Sequence, residues 1–169
     1  MSNIIIIGGM AAGCKAAARL SRLSKDYKVT IIEKSPFISL SSCGLPLYTS
    51  GEIDDIFELT KTPYGIKRDE NFFQDFEGIT VLTRTEVMDL DPWKKEVKCF
   101  DHRKDENFKL KYDALLFSTG SSPVEPVFPY FESARISCVY SPEDVIKFKE
   151  LIKLGLIKRA VIIGGGESA

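Results

Sequence analysis

Cys43 stands alone among serines in SLSSCGLPLY, residues 39–48. A thiol is a nucleophile only as the thiolate, and the thiolate is favoured at a helix N-terminus or beside hydrogen-bond donors. Gly44, Leu45 and Pro46 read as a turn into a helix with Pro46 in its first turn, and Ser39, Ser41 and Ser42 offer hydroxyls to a thiolate or a ligand. These residues alone leave two readings of Cys43 open, a buried structural cysteine and a reactive thiol. The other three cysteines, Cys14, Cys99 and Cys138, read as buried structural thiols, because their wide spacing fits neither a CxxC metal site nor a disulfide framework. The single histidine, His102, lies in the charged stretch DHRKDEN and reads as solvated. Zinc catalysis and a histidine-based triad therefore lack support, and no metal site is expected.

Two glycine-rich turns carry a second kind of chemistry. In IIIIGGMAAG, Gly8 and Gly13 flank a strand-to-helix turn, where glycine permits backbone geometry closed to other residues and a close approach of pyrophosphate. The N-terminus of the following helix offers free N–H groups and a positive dipole end to phosphates. Glu33 follows Gly13 by twenty positions, at the end of the next strand, where a carboxylate binds an adenosine ribose hydroxyl. Met10 stands where the G-x-G-x-x-G pattern has its second glycine. The competing reading is an ordinary βα turn that uses glycine only for packing. At the other end, GGGESA has the form G-x-G-x-x-A after an apolar run, so Gly164, Gly166 and Ala169 would open a second dinucleotide site. Two fingerprints point to two nucleotides, such as a flavin and a nicotinamide. With no helix and no ribose reader after the second turn, the sequence reads as truncated at a domain start; the alternative is a complete small protein with a glycine-rich tail.

The elements that must hold these groups follow from periodicity. Ile4–Ile7 is a wholly apolar β-branched run and predicts a strand buried on both faces of a parallel sheet. Gly13–Ser24 predicts a helix with Ala16, Ala17, Leu20 and Leu23 on one face, and Val29–Ile32 a second strand closed by Glu33. Asp69–Phe76 reads as helix and Ile79–Leu82 as strand. Glu96–Phe100 and Phe108–Lys111 flank DHRKDEN as a hairpin or meander, and Ala114–Phe117 is again a buried-strand run. A Pro-rich connector spans Pro123–Pro129. Ser141-Pro142-Glu143-Asp144 is a strong helix start, with the stop at Gly155, and Ala160–Ile163 predicts a fresh strand.

The totals agree with a globular α/β protein. The chain has 169 residues, of which 44% are hydrophobic and 28% charged, enough for one domain and the start of another. A formal net charge of -1 gives no electrostatic reason to expect nucleic acid or an anionic membrane as partner. No apolar run approaches the ~20 residues of a membrane span. The start MSNIIIIGG lacks the basic region and cleavage site of a signal peptide, which predicts a cytoplasmic protein.

Taken in order, IIIIGGMAAGCKAAARL, VTIIEKSPFISLSSCGLPLY, the GEI of Gly51–Ile53, YDALLFSTGSSP and AVIIGGGESA resemble the flavoprotein pyridine nucleotide-disulfide oxidoreductases. The resemblance covers essentially the whole chain, and the S-x-x-x-C-G-L-P stretch is its most specific part. It is closest to the single-cysteine subgroup of coenzyme A disulfide reductases, persulfide reductases, NADH oxidases and NADH peroxidases. It implies a Rossmann-like FAD/NAD(P)-binding fold with a β-meander, truncated at the start of a second Rossmann domain: residues 1–122 the FAD-binding part, 123–158 a connector and helix, and 159–169 the start of an NAD(P)H-binding domain. FAD would lie along Gly8, Gly9, Met10, Ala11, Ala12 and Gly13, with Glu33, Lys34, Ser42, Thr119 and Gly120 beside it. NAD(P)H would lie at Gly164 and Gly166.

The resemblance also implies that Cys43 is the redox sulfur, since the partner cysteine of two-cysteine relatives falls at Ile38. Cys43 would cycle between thiolate and a mixed disulfide or a sulfenic acid. Oxidases and peroxidases of the family carry a histidine where this chain has Ala11, which favours the coenzyme A disulfide or persulfide branch. In that branch Ser39 and the residue before the cysteine, here Ser42 in place of the usual Asn, contact coenzyme A, while Arg19 and Arg22 meet its phosphates. A solvated helix face is the competing reading of the two arginines. The implied whole is a homodimeric, FAD-dependent NAD(P)H oxidoreductase acting on a small disulfide or persulfide. Its rivals are an NADH oxidase using a cysteine sulfenate and a non-catalytic nucleotide-binding fragment.

Overall fold

The computed structural model of the chain describes residues 1–124 and 136–164. Strand β1 (Ser2–Ile7) lies between β2 (Tyr27–Ile32) and β7 (Ala114–Phe117), and β3 (Thr80–Leu82) pairs with β2. All three pairings are parallel, with Ile4–Ile7 in register with Val29–Ile32 on one side and Ala114–Phe117 on the other. Successive strand residues face opposite sides of a sheet. Ile6 and Ile31 therefore pack with Ala17 of α1 (Ala11–Leu23) and Phe73 of α3 (Glu70–Glu77), whereas Ile5 and Ile32 pack with Val97 and Cys99 of a second sheet. Both faces of β1 are covered, which is why its sequence is apolar without alternation.

The second sheet is an antiparallel meander of β4 (Thr85–Asp91), β5 (Glu96–Asp101) and β6 (Glu106–Lys111). The expected hairpin across DHRKDEN is β5–β6. Strand β4 gives no clear period-2 signal in the sequence because a register shift between Val87 and Asp89 breaks its alternation. The helix expected from Gly13 begins at Ala11, and its inner stripe is Gly13, Cys14, Ala17 and Ser21. Leu23, assigned to that stripe, is instead exposed, since it sits two residues beyond Ser21 on the helix wheel.

Helix α4 (Pro142–Lys153) starts and stops as its sequence demands. The Ser141 hydroxyl accepts from the Asp144 N–H at 3.1 Å, the Asp144 carboxylate accepts from the Ser141 N–H at 2.8 Å, and Gly155 takes a positive φ of 69°. The Pro-rich connector lies outside the described residues from position 125 onward. The strand expected at Ala160–Ile163 does not form: Val161, Ile162 and Ile163 are exposed, and no described strand offers them hydrogen bonds or a covering face. Among the described residues, no helix is long and apolar enough to cross a membrane.

Candidate functional site

The C-terminal ends of β1 and β7 build the first part of the site. The Gly8 N–H donates to the Ile32 carbonyl at 2.8 Å, and Gly8 has a φ of 104°, which a side chain rarely tolerates. A Cβ on Gly8 would stand 2.3 Å from the Ser118 carbonyl oxygen and 3.2 Å from the Thr119 nitrogen, so β7 brings Thr119 against the turn. The Ser118 hydroxyl donates to the carbonyls of Ile7 (3.0 Å) and Gly8 (2.9 Å), which fastens the turn from that side. A Cβ on Gly13 would lie 1.9 Å from the Gly8 carbonyl oxygen, so the helix can sit this close to the strand only without a side chain there. Met10 needs no such freedom. Its φ is -87°, and its side chain packs against the cluster containing Phe37, Leu40 and Leu45.

The turn opens onto the N-terminus of α1. Ala11 and Ala12 are exposed and small, and the first turn has neither an acidic residue nor a side-chain cap. Its N–H groups and the positive end of a 13-residue helix are thus left for an anion from outside. Glu33 is 7% exposed and lies beneath the turn. Its carboxylate accepts from the Gly9 N–H at 2.7 Å and the Ser35 N–H at 2.8 Å. Each oxygen keeps a lone pair, so the group can also accept from a ribose hydroxyl. Small exposed residues at a helix N-terminus, glycines that admit no Cβ and a buried carboxylate beside them fit a dinucleotide. Lys34 is exposed just beyond Glu33, and Gly120 follows Thr119 with a positive φ of 71°.

The segment bearing Cys43 is attached to the same turn. The Ser39 N–H donates to the Gly9 carbonyl at 2.8 Å, and the Cys14 thiol donates to that carbonyl at 3.0 Å. Ser39 is buried at a positive φ of 56°, so its side chain is not displayed beside Cys43. Leu40 and Leu45 anchor the loop on either side of an exposed Ser41, Ser42 and Cys43. Cys43 occupies a 3₁₀ turn, Ser42–Gly44, ahead of α2 (Leu45–Ser50). Gly44 is pressed against Leu59, where a Cβ would come within 2.3 Å. Helix α4 braces α2 from outside, with Lys149 Nζ donating to the Tyr48 carbonyl at 2.7 Å and lying 3.9 Å above the Tyr48 ring.

Of the other cysteines, Cys14 and Cys99 are buried, and burial pushes each thiol up to about 11. Cys138, expected to be buried, is only half-buried, because the residues around it, Ile136 and Val139, are themselves exposed. His102 is exposed and sits 3.3 Å from the Glu86 carboxylate. On α1, Arg19 is exposed, but Arg22 is engaged: its Nη1 lies 3.0 Å from Glu77 Oε1, and the Ser21 hydroxyl donates to Glu77 Oε2 at 3.1 Å. Gly164 is exposed at a φ of 120°, and Gly166 lies outside the described residues. Two residues of the turn carry little sign of this role in the sequence. Ser118 was signalled only by a hydroxyl directly before Thr119-Gly120, and Cys14 only by its place one residue after Gly13.

A sequence profile described as pyridine nucleotide-disulphide oxidoreductase matches residues 2–169. An NADH oxidase of Methanocaldococcus jannaschii is 32% identical over 166 residues, covering 96% of this chain and 35% of that protein. A coenzyme A disulfide reductase of Staphylococcus aureus is 30% identical over 168 residues, covering 98% of this chain and 36% of that protein. The solved NAD-dependent persulfide reductase from A. fulgidus superposes with a TM-score of 0.82 at 35% identity, over 90% of this chain and 28% of the other. The chain thus spans about a third of the length of the curated relatives it matches.

Proposed function

Because the chain belongs to the pyridine nucleotide-disulphide oxidoreductase family, we propose that it is the flavin-binding part of an NAD(P)H-dependent enzyme that reduces a disulfide or persulfide through Cys43. The observation that carries this reading is the single turn, Gly8–Gly13, that joins the anion-accepting helix end, the Glu33 carboxylate and, through Ser39, the exposed thiol. Gly8, Gly9, Met10, Ala11, Ala12 and Gly13 would hold the pyrophosphate of FAD, Glu33 its adenosine ribose, and Thr119 and Gly120 the cofactor's other side. When bound, FAD supplies two electrons at a time, drawn as hydride from NAD(P)H.

The chain's own part is sulfur chemistry. The Cys43 thiolate attacks one sulfur of the substrate, the S–S bond breaks, and the leaving sulfur departs as a thiol or as hydrogen sulfide after taking a proton. Cys43 is left in a mixed disulfide, which two electrons and a proton return to thiolate and a second thiol. Gly44 and the two leucines pack this loop against the protein while leaving the sulfur open to solvent. The same reading divides the chain into residues 1–122, 123–158 and 159–169, and makes the protein a cytoplasmic homodimer acting on small molecules rather than on nucleic acid or membrane. The near-neutral charge supports the last point.

In the full-length protein, Cys43→Ser should retain the flavin spectrum and lose NAD(P)H-dependent reduction of coenzyme A disulfide and of persulfide. A Cys43→Ser protein with full turnover would sink the mechanism. The similarity to an NADH oxidase favours a second reading, in which Cys43 cycles through a sulfenic acid and oxygen is the acceptor. Oxygen consumption that exceeds disulfide reduction under air would select it.

A further inference from the structure

The Gly9 carbonyl is held more tightly than a packing turn needs. It accepts from the Ser39 N–H at 2.8 Å and from the Cys14 thiol at 3.0 Å, while the N–H of the same residue is fixed by Glu33 at 2.7 Å. A peptide unit is planar, and none of the described peptide bonds is cis, so the Met10 N–H must lie opposite the Gly9 carbonyl. The carbonyl is turned inward to Cys14 and Ser39, and the Met10 N–H is therefore turned outward. It has no hydrogen-bond partner among the described residues.

We propose that Cys14 and Ser39 are positioning residues for the dinucleotide: by clamping the Gly9 carbonyl they aim the Met10 N–H at the phosphate, and they tie that phosphate-binding peptide to the segment that bears Cys43. The inference rests on the flavin reading above. Three further observations fit it. Ser39 holds a left-handed backbone conformation that a non-glycine residue adopts only where its surroundings require it. The Ser39 carbonyl is itself held by Arg68 Nη2 at 3.3 Å. Burial keeps the Cys14 thiol protonated at neutral pH, hence a donor, and leaves electron transfer to the exposed Cys43.

The test measures FAD binding to the flavin-stripped full-length protein by quenching of flavin fluorescence, with the thermal midpoint of the apoprotein followed in parallel. Cys14→Ala removes the donor and should weaken FAD about three- to tenfold. Cys14→Ser restores a donor in nearly the same place and should return to within about twofold of wild type. A packing role would not distinguish the two, because both variants lose the sulfur. Ser39→Gly keeps the N–H and should also stay within about twofold. Unchanged affinity in Cys14→Ala, or a serine variant no better than the alanine variant, would overturn the clamp while leaving the flavin reading intact. A loss in Ser39→Gly as large as in Cys14→Ala would overturn it too, by assigning the effect to the hydroxyl. A wild-type protein that binds no FAD would overturn the flavin reading and the clamp together.

Discussion

Replacing Gly13 with alanine sets two effects of opposite sign against each other. Helix propensity alone predicts a gain of about 1 kcal/mol, since glycine is the worse residue inside a helix. The structure predicts a loss. The new Cβ would stand 1.9 Å from the Gly8 carbonyl oxygen and 2.7 Å from the Ser118 hydroxyl, so roughly 1.1 Å of movement is needed before the closer contact reaches even 3.0 Å. Neither neighbour yields cheaply. The Gly8 N–H is bonded into β2 at the Ile32 carbonyl, and the Ser118 hydroxyl bridges the carbonyls of Ile7 and Gly8. Overpacking costs about 1–3 kcal/mol, and a displaced hydroxyl adds about 0.5–1.5 kcal/mol. Against the propensity gain, a net destabilisation of about 2 kcal/mol remains. Urea unfolding of the full-length apoprotein would read it, as a lower midpoint with an unchanged slope. Ser118→Ala paired with Gly13→Ala should lose less than the two changes separately, because the alanine at position 118 removes part of the clash. A Gly13→Ala protein more stable than wild type would refute the close approach on which the whole turn depends.

Two smaller perturbations probe the surroundings of the site. Glu77→Gln removes the carboxylate that engages Arg22 but keeps an acceptor for Ser21; stability should change by less than about 1 kcal/mol, as for exposed ion pairs, while under the proposed coenzyme A reading calorimetry should find that ligand bound a few-fold more tightly by the full-length protein, and no change would remove Arg22 from that reading. Acidification should loosen α4: burial pushes the Asp144 carboxyl up, but hydrogen bonds from Ser141 and Tyr140 outweigh it and hold the group below the ordinary aspartate value of 3.8, so the capping interaction is complete above that value and is lost as pH falls through the lower folded one. Amide exchange of α4 followed below pH ~4 should show this loss in wild type and not in Asp144→Asn.

What the sequence made legible was whatever depends on near neighbours. The run Ile4–Ile7, the spacing from Gly13 to Glu33 and the Ser141-Pro142 helix start each carry their own local cause, and each appears where expected. Leu23 falls outside the buried stripe because a helix end can turn an apolar side chain outward once the inner stripe has ended at Ser21. Ala160–Ile163 looks like β1 in composition, yet a parallel strand exists only beside another strand, and composition does not supply the neighbour. The site behaves the same way. Glycines and Cys43 announce themselves by type, whereas the Arg22–Glu77 pair joins residues 55 positions apart and the contact of Ser118 with Gly8 spans 110. Nothing in the residue type of Cys14 distinguishes a thiol that only packs from one that donates to a carbonyl.

These distant contacts bear on the choice of substrate. A phosphate reaching Arg22 would gain a charge-assisted hydrogen bond, about 1.5–3 kcal/mol when formed alone. It would have to share the guanidinium with Glu77 or displace it, and the carboxylate left nearby would repel the newcomer by about 1 kcal/mol in a solvated setting. Arg19 is exposed and has no carboxylate partner among the described residues, so of the two arginines it is the freer to meet a phosphate. Ser39, expected to touch coenzyme A, is buried and its N–H is committed to the Gly9 carbonyl, which leaves Ser42 and Cys43 as the exposed polar groups of the loop beside Ser41. A small persulfide needs only that exposed sulfur, whereas a coenzyme A disulfide must also find its phosphate partners on a helix face where one of two arginines is already paired. On the proposed function, Glu77 rather than the cysteine loop is then the residue that sets the cost of bringing a phosphate to Arg22.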